Sequence, residues 1–558
     1  MAESHADVIV IGSGAGGGAA AWALTRLGAR VLLLEAGPEY DPHADYRLDR
    51  DEWERTTFPA KIPAAGRQTH APMQDLDPRW ADLGSWNHIG GKINTTGRRR
   101  FRRYSHVVGL GGSTLHFAGE AHRLNPVSMR MRSRFGVAAD WPLTYAELEP
   151  YYAEVERIVG VAGPAEGSGR PRSAPYPLPA HALSYATQRL ATGCGALGLS
   201  MVPNSLAALS QPYDGRPPCN YCGNCGRGCP RLDKGSVDIT FIRRARESGR
   251  LEIRTLSQVA RIDAGSDDRV AGVVYADELG ISRRASAPAV IVACGAVETP
   301  RLLLNSANTR TPDGLANDSG EVGRNFMETL SWVSTGLHPD RLGSHRGLPS
   351  DGICWDYNAP DAIPGIVGGC RFSAAHKEVG LNGPIAHATR VVGGWGREHK
   401  TRMRETFGRV LSVGAIGENL PSPRAFIDLD PETRDRNSQP LARIHSHLED
   451  TEFERLAFMA KTARAILEAS GVGERIEEFG SYDSFRSTHV FGTCRMGNDA
   501  ESSVVDRFGK SHRWRNLFIA DASVFPSSGG GESPSLTIEA LALRTAEHVV
   551  RLARQGAL

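Results

Sequence analysis

Asp7-Val8-Ile9-Val10-Ile11-Gly12-Ser13-Gly14-Ala15-Gly16-Gly17 is the stretch whose reading decides the fold. The short β-branched run Val8 to Ile11 predicts a buried parallel strand. Gly12, Gly14 and Gly17 follow it as G-x-G-x-x-G, and Gly18-Ala19-Ala20-Ala21-Trp22-Ala23-Leu24 begins a helix that Gly28 stops. Val31-Leu32-Leu33-Leu34-Glu35 then predicts a second strand. In such a unit the first glycine makes the tight turn, the second admits a pyrophosphate to the backbone, and the third lets helix and strand pack closely. The helix N-terminus attracts the phosphates. Glu35, about 18 residues past Gly17, stands where a carboxylate accepts hydrogen bonds from ribose hydroxyls. The unit predicts an α/β dinucleotide-binding domain, without separating NAD from FAD. No second such unit occurs in the chain, which argues against a two-dinucleotide reductase.

At 558 residues the chain predicts two or three connected lobes rather than one small core. A hydrophobic content of 40% and a charged content of 23% are those of a globular enzyme. The net charge of +2 gives no overall field toward nucleic acid or an anionic membrane. No apolar run reaches the roughly 18 residues of a membrane span. The first residues enter a strand too soon for a signal peptide, so a cytoplasmic location is expected, with periplasmic co-export alongside a partner as the alternative.

Further along, residues 36–105 are irregular and read as a long excursion over the ligand, with a basic run at residues 98–103 that predicts a solvated loop. Thr144 and Glu147 form a capping box for a helix through about Val159, and residues 160–182 read as a surface linker. Strands are expected at residues 251–262, 270–276, 289–293 and 517–520. Helices are expected at residues 449–470, ended by Gly471, and 537–553. Residues 330–430 predict an antiparallel sheet on the substrate side.

Cys219-x2-Cys222-x2-Cys225-x3-Cys229-Pro230 gathers four of the nine cysteines within eleven residues. That spacing is the one with which bacterial ferredoxins ligate iron. A single 3Fe-4S or 4Fe-4S cluster, a structural zinc loop, and a metal-free loop are the three readings it allows.

Four separated segments together resemble the glucose–methanol–choline (GMC) oxidoreductase family. They are the N-terminal fingerprint, residues 109–116 (Gly-Leu-Gly-Gly-Ser-Thr-Leu-His), residues 295–306 (Gly-Ala-Val-Glu-Thr-Pro-Arg-Leu-Leu-Leu-Asn-Ser), and residues 489–497 (His-Val-Phe-Gly-Thr-Cys-Arg-Met-Gly). The last is continued by Val505-Asp506 and by residues 516–523. The resemblance implies FAD as cofactor. It also implies a Rossmann-like FAD-binding domain assembled from residues 1–130, 231–325 and 490–558. A cap with the cysteine cluster at 131–230 and an antiparallel-sheet substrate domain at 326–489 complete the expected organisation.

Residue by residue, the resemblance places Gly111, Gly112 and Ser113 against the flavin and pyrophosphate, and Asp521 at the ribityl–pyrophosphate region. Val259 would contact the adenine through its backbone. His116 falls where some members attach FAD covalently and others keep a dissociable flavin. His489 takes the position of the catalytic base, a role suited to an imidazole titrating near neutrality. The second active-site position, Asn or His in the family pattern, is Ser533 here, beside Glu532; this departure weakens any close substrate assignment.

The resemblance thus implies a dehydrogenase for an alcohol, polyol, sugar or glycoside, related to members that relay electrons through a cysteine-ligated cluster. The expected partners are the small-molecule substrate, a small chaperone-like subunit, and a cytochrome or other electron acceptor; nucleic acid is not among them. A peroxide-producing oxidase, a non-redox lyase and an electron-transfer subunit are the alternatives.

Overall fold

The computed structural model describes residues 6–50, 53–55, 58–59, 61, 71–85, 99, 104, 106–166, 169–375, 380–485 and 489–558. Its first sheet has five parallel strands in the order Leu517–Ile519, Ala289–Val292, Val8–Ile11, Val31–Leu34 and Leu251–Arg254. The three central strands are buried on both faces, which explains their uninterrupted apolar sequences. Three distant parts of the chain supply this sheet. The Ala15–Arg26 helix crosses over one face and packs against the C-terminal Ser535–Arg554 helix.

The expected strand over residues 251–262 is two strands in different sheets. Leu251–Arg254 closes the edge of the parallel sheet, and Gln258–Ala264 opens a three-stranded antiparallel sheet with Val270–Ala276 and Ser282–Ala285. The break is a turn at Leu256, whose φ is +54°; the Leu256 and Ser257 amides donate to the Gly37 and Glu35 carbonyls.

The substrate-side sheet is antiparallel and six-stranded, ordered Glu474–Gly480, Leu330–Leu337, Val410–Gly417, Cys370–Ala374, Gly352–Cys354 and Met201–Pro203. Its last strand comes from within residues 131–230, so that segment is stitched into the sheet. The 20-residue Asp450–Ala469 helix covers one face, burying Phe453, Leu456, Met459, Ala463 and Leu467 against Trp332 and Phe372. Glu449 caps it reciprocally with Glu452. The Tyr145–Val159 helix begins with the expected Thr144–Glu147 box.

Two expectations about surface segments are corrected. Arg99, the one described member of the basic run, is buried, with its guanidinium paired to Glu328 at 3.0 Å and bonded to Ser446 and the Ser481 carbonyl. It is a strut between the strands rather than a solvated charge; the rest of the run lies outside the described residues. Residues 160–182 are more than a linker. Arg172 pairs with Glu156 at 2.5 Å, and Arg170 reaches Glu532 at 2.7 Å, because arginine can bury its stem while its head meets a carboxylate.

Candidate functional site

The backbone turn after Val8–Ile11 builds one end of a cavity of about 960 Å³. Gly12 has φ +88°, and a Cβ there would stand 2.6 Å from the Ala293 carbonyl oxygen. A Cβ at Gly17 would lie 1.9 Å from the Gly12 carbonyl oxygen, so helix and turn meet only because that atom is missing. Gly14 differs. A Cβ on it would enter open space, its nearest neighbour Gly112 Cα at 3.9 Å, and both residues line the cavity. The glycine keeps that space for a ligand. The helix beginning at Ala15 has no side-chain cap and no acidic residue in its first turn, leaving its amides and positive dipole end facing the cavity.

Glu35 is buried at the end of the second strand and lines the cavity. Its Oε2 accepts from the Ser13 amide at 3.0 Å and the Ser13 hydroxyl at 2.6 Å, and its Oε1 from the Gly37 amide at 2.8 Å. Ser13, an unremarked position inside the fingerprint, also accepts from the Gly111 amide at 3.1 Å. It therefore ties the carboxylate to the second glycine-rich loop. Gly111 and Gly112 adopt positive φ there, and Gly112, Ser113 and His116 line the cavity. Asp521 is buried, its Oδ2 accepting from the Gly295 amide at 3.0 Å and the Thr299 hydroxyl at 2.6 Å. Val259 lines the same end. This donor set and this cradle fit a dinucleotide. We expect Gly17→Ala to be purified with little or no bound flavin, read from visible absorbance, because its new methyl must displace backbone rather than a side chain.

The far end of the cavity holds the titratable groups. His489, half-buried, faces it beside Glu120, Arg371 and Ser533. Glu120 is the hub. Its Oε2 accepts from the Arg371 guanidinium and, at 2.7 Å, from the Ser533 hydroxyl; its Oε1 accepts from Asn204 Nδ2 at 3.1 Å. Burial pushes the Glu120 carboxyl up, but the Arg371 guanidinium, His122 and the Ser533 hydroxyl together hold it below the usual carboxylate range. His122 accepts from the Ser533 amide at Nδ1 (3.0 Å), so its Nε2 carries the proton and donates to Asn204 at 2.9 Å. Arg371 is further fixed by the Gly531 carbonyl at 2.8 Å and the Ser373 hydroxyl at 2.9 Å.

Desolvation is the largest influence on His489 and lowers it to about 4; Glu120 opposes and Arg371 assists. His116 and His122 are likewise lowered to about 4, chiefly by burial. A histidine neutral in the fold but charged when unfolded withdraws stability as pH falls from its ordinary value of about 6.5 toward 4. The stability of this end is therefore greatest above about pH 6.5.

Glu532 is neither an exposed loop acid nor a cavity group. It is buried, and its Oε1 accepts from Arg170, Asn358 and the Asn125 amide, which pins the loop that carries Ser533. The sequence reading passed over Glu120, His122, Asn204 and Arg371. The alternation Glu120-x-His122, just beyond the second glycine-rich motif, is the signal that would have found two of them.

The cysteine loop leans on the cavity wall. Gly226 and Arg227 line the cavity, and buried Lys234 donates to the Cys225, Leu115 and Phe117 carbonyls at 2.7, 2.8 and 3.1 Å. Among the described residues no three His, Cys, Asp or Glu side chains stand close enough to share a metal ion. Burial raises all four thiols, Cys225 to about 12, and Cys229 donates to Asp233 at 3.4 Å. The ferredoxin-like spacing is thus not matched by a metal-binding group of side chains among the described residues.

Two family models described as GMC oxidoreductase match residues 123–330 and 421–542, and one described as an NAD(P)-binding Rossmann-like domain matches residues 10–46. A 2-methyl-1,2-propanediol dehydrogenase from Mycolicibacterium austroafricanum is 29% identical, over 98% of this chain and 95% of its own. The fructose dehydrogenase large subunit of Gluconobacter japonicus is 28% identical, over 99% of both. Paromamine 6'-oxidase of Streptomyces fradiae is 30% identical, over 97% of this chain and 91% of its own. Among solved structures, pyridoxine 4-oxidase from Mesorbium loti superposes with a TM-score of 0.63 at 19% identity, covering 98% of this chain and 99% of the other. That likeness speaks for the fold.

Proposed function

Because the chain belongs to the GMC oxidoreductase family, we propose that it is an FAD-dependent dehydrogenase that oxidises an alcohol group on a small polar substrate. The observation that carries the reading is one cavity joining a dinucleotide cradle at Gly12–Glu35 to a neutral, desolvated histidine at His489. FAD, when bound, would supply the acceptor for the hydride of the carbinol carbon. Gly14 and the amides that open the Ala15–Arg26 helix would hold its pyrophosphate, Glu35 its ribose, and Asp521 its ribityl–pyrophosphate region. His489 takes the hydroxyl proton as the carbonyl forms, and its low basicity keeps it ready for that proton at neutral pH. Glu120 opposes the positive field of Arg371 as the imidazolium forms.

Anaerobic mixing with a panel of alcohols, polyols and sugars tests this reading. Bleaching of the oxidised flavin band supports it; an unchanged band throughout, with any product released, would point to a non-redox lyase. The names of the dehydrogenase relatives favour an external acceptor, and that of the paromamine relative favours oxygen. Dye reduction that outpaces peroxide release supports the first. The word "subunit" in the fructose dehydrogenase name supports a companion subunit or redox partner here as well. No step is assigned to the cysteine loop.

The pH dependence follows from His489. A base works in its neutral form, so activity requires pH above its value. We expect the limiting rate of flavin reduction to stay level from pH 9 to about 6, and to fall only as pH approaches about 4. An acid limb centred near 6.5 would mean that the imidazole is not desolvated during turnover.

A further inference from the structure

We propose that Ser533, polarised by the Glu120–Arg371 ion pair, is a hydrogen-bond acceptor that selects substrates bearing a second O–H or N–H donor beside the alcohol being oxidised. The inference rests on the alcohol-oxidation reading and adds the substrate class.

An ionised carboxylate is an acceptor only. Glu120 is kept ionised by the Arg371 guanidinium, with Asn204 on its other oxygen, so the Ser533 hydroxyl at 2.7 Å must donate its single proton to it. The depressed Glu120 titration agrees with this. The backbone offers no donor in its place. The Ser533 amide is spent on His122 Nδ1 at 3.0 Å, and the next residue, Pro534, which also lines the cavity, has no N–H. Ser533 itself therefore shows the substrate lone pairs alone. An asparagine or protonated histidine there would instead present donors. His489 is also an acceptor while it waits for its proton. Two acceptors on one cavity wall are complementary to two donors: a diol, a sugar or an amino alcohol. A simple alcohol leaves Ser533 unmatched, and an ether oxygen there sets lone pairs against lone pairs.

The test uses the FAD-loaded enzyme and two matched series. One is 1,2-propanediol, 2-methyl-1-propanol and 2-methoxy-1-propanol; the other is D-glucose, 2-deoxy-D-glucose and 2-O-methyl-D-glucose. Anaerobic stopped-flow reduction gives the limiting rate and the apparent Kd for each. The donor-bearing member should be about 10- to 100-fold more efficient than its deoxy or methyl counterpart, with the O-methyl member the poorest. In Ser533→Ala that ratio should collapse to within about threefold, mostly through Kd, while the flavin spectrum is kept. Ser533→Thr, which retains a hydroxyl, should restore it.

Equal efficiency across a series in the wild type, or a preference that survives Ser533→Ala, overturns the inference and leaves alcohol oxidation standing. If no member of either series reduces the flavin, the alcohol-oxidation reading itself fails, and the inference falls with it.

Discussion

His489→Gln should lower the limiting rate of flavin reduction by about 10²- to 10⁴-fold, the usual contribution of a positioned general base. The flavin should stay bound, because the cradle is built from Gly12, Gly14, Glu35, Gly112 and Asp521, and its two carboxylates are held by the Ser13, Gly37 and Gly295 amides. Glutamine keeps the polarity and roughly the volume of the side chain but cannot accept a proton near neutrality. Two readouts separate base loss from general damage: the visible flavin spectrum and the thermal midpoint should match the parent. A rate within about fivefold of the parent would assign the base to another group, and the level pH profile expected above would then lose its explanation.

Arg371→Met should be the most destabilising single change in the cavity wall, by about 3–5 kcal/mol. Arg371 and Glu120 are both nearly shut off from solvent, with side chains 3% and 7% exposed, so removing the guanidinium strands a buried carboxylate. The same change frees the Gly531 carbonyl and the Ser373 hydroxyl from their partner. We expect a lower thermal midpoint, and a carboxyl at Glu120 that takes up a proton well above its present range. Adding Glu120→Gln should recover part of the loss, since the pair is then removed together. Glu120→Gln alone should also lower the acid limb of His489, by removing a negative neighbour.

The parallel sheet was legible because its strands are covered on both faces and its turn has steric demands only glycine meets. Residues Val8 to Glu35 therefore carry their own reading. The antiparallel sheet was legible as a type but not in its membership. Met201–Pro203 is three residues long, and nothing local announces that it closes a sheet begun at Leu330. Arg371 sits in Cys370–Ala374, a strand whose five residues are all buried, and sequence gives no cue that one of them is a cation turned toward Glu120, 251 residues away. Arg99 was misjudged for the same reason, since its carboxylate partner, Glu328, is 229 residues distant.

By itself, the sequence determined the chemistry available: a dinucleotide turn, a family pattern that implies flavin, and a histidine at the position where that pattern implies a base. These are local demands, set by φ angles, close approach and residue type, and they survive being read one segment at a time. Only the tertiary structure decided which groups act on that histidine and on Ser533. It also builds no metal-holding group of side chains from the ferredoxin-like run among the described residues. Spacing along a chain limits how near thiolates can come, whereas the fold decides whether they converge. The field at His489 and the proton on Ser533 are likewise sums over neighbours that meet only after distant strands have packed.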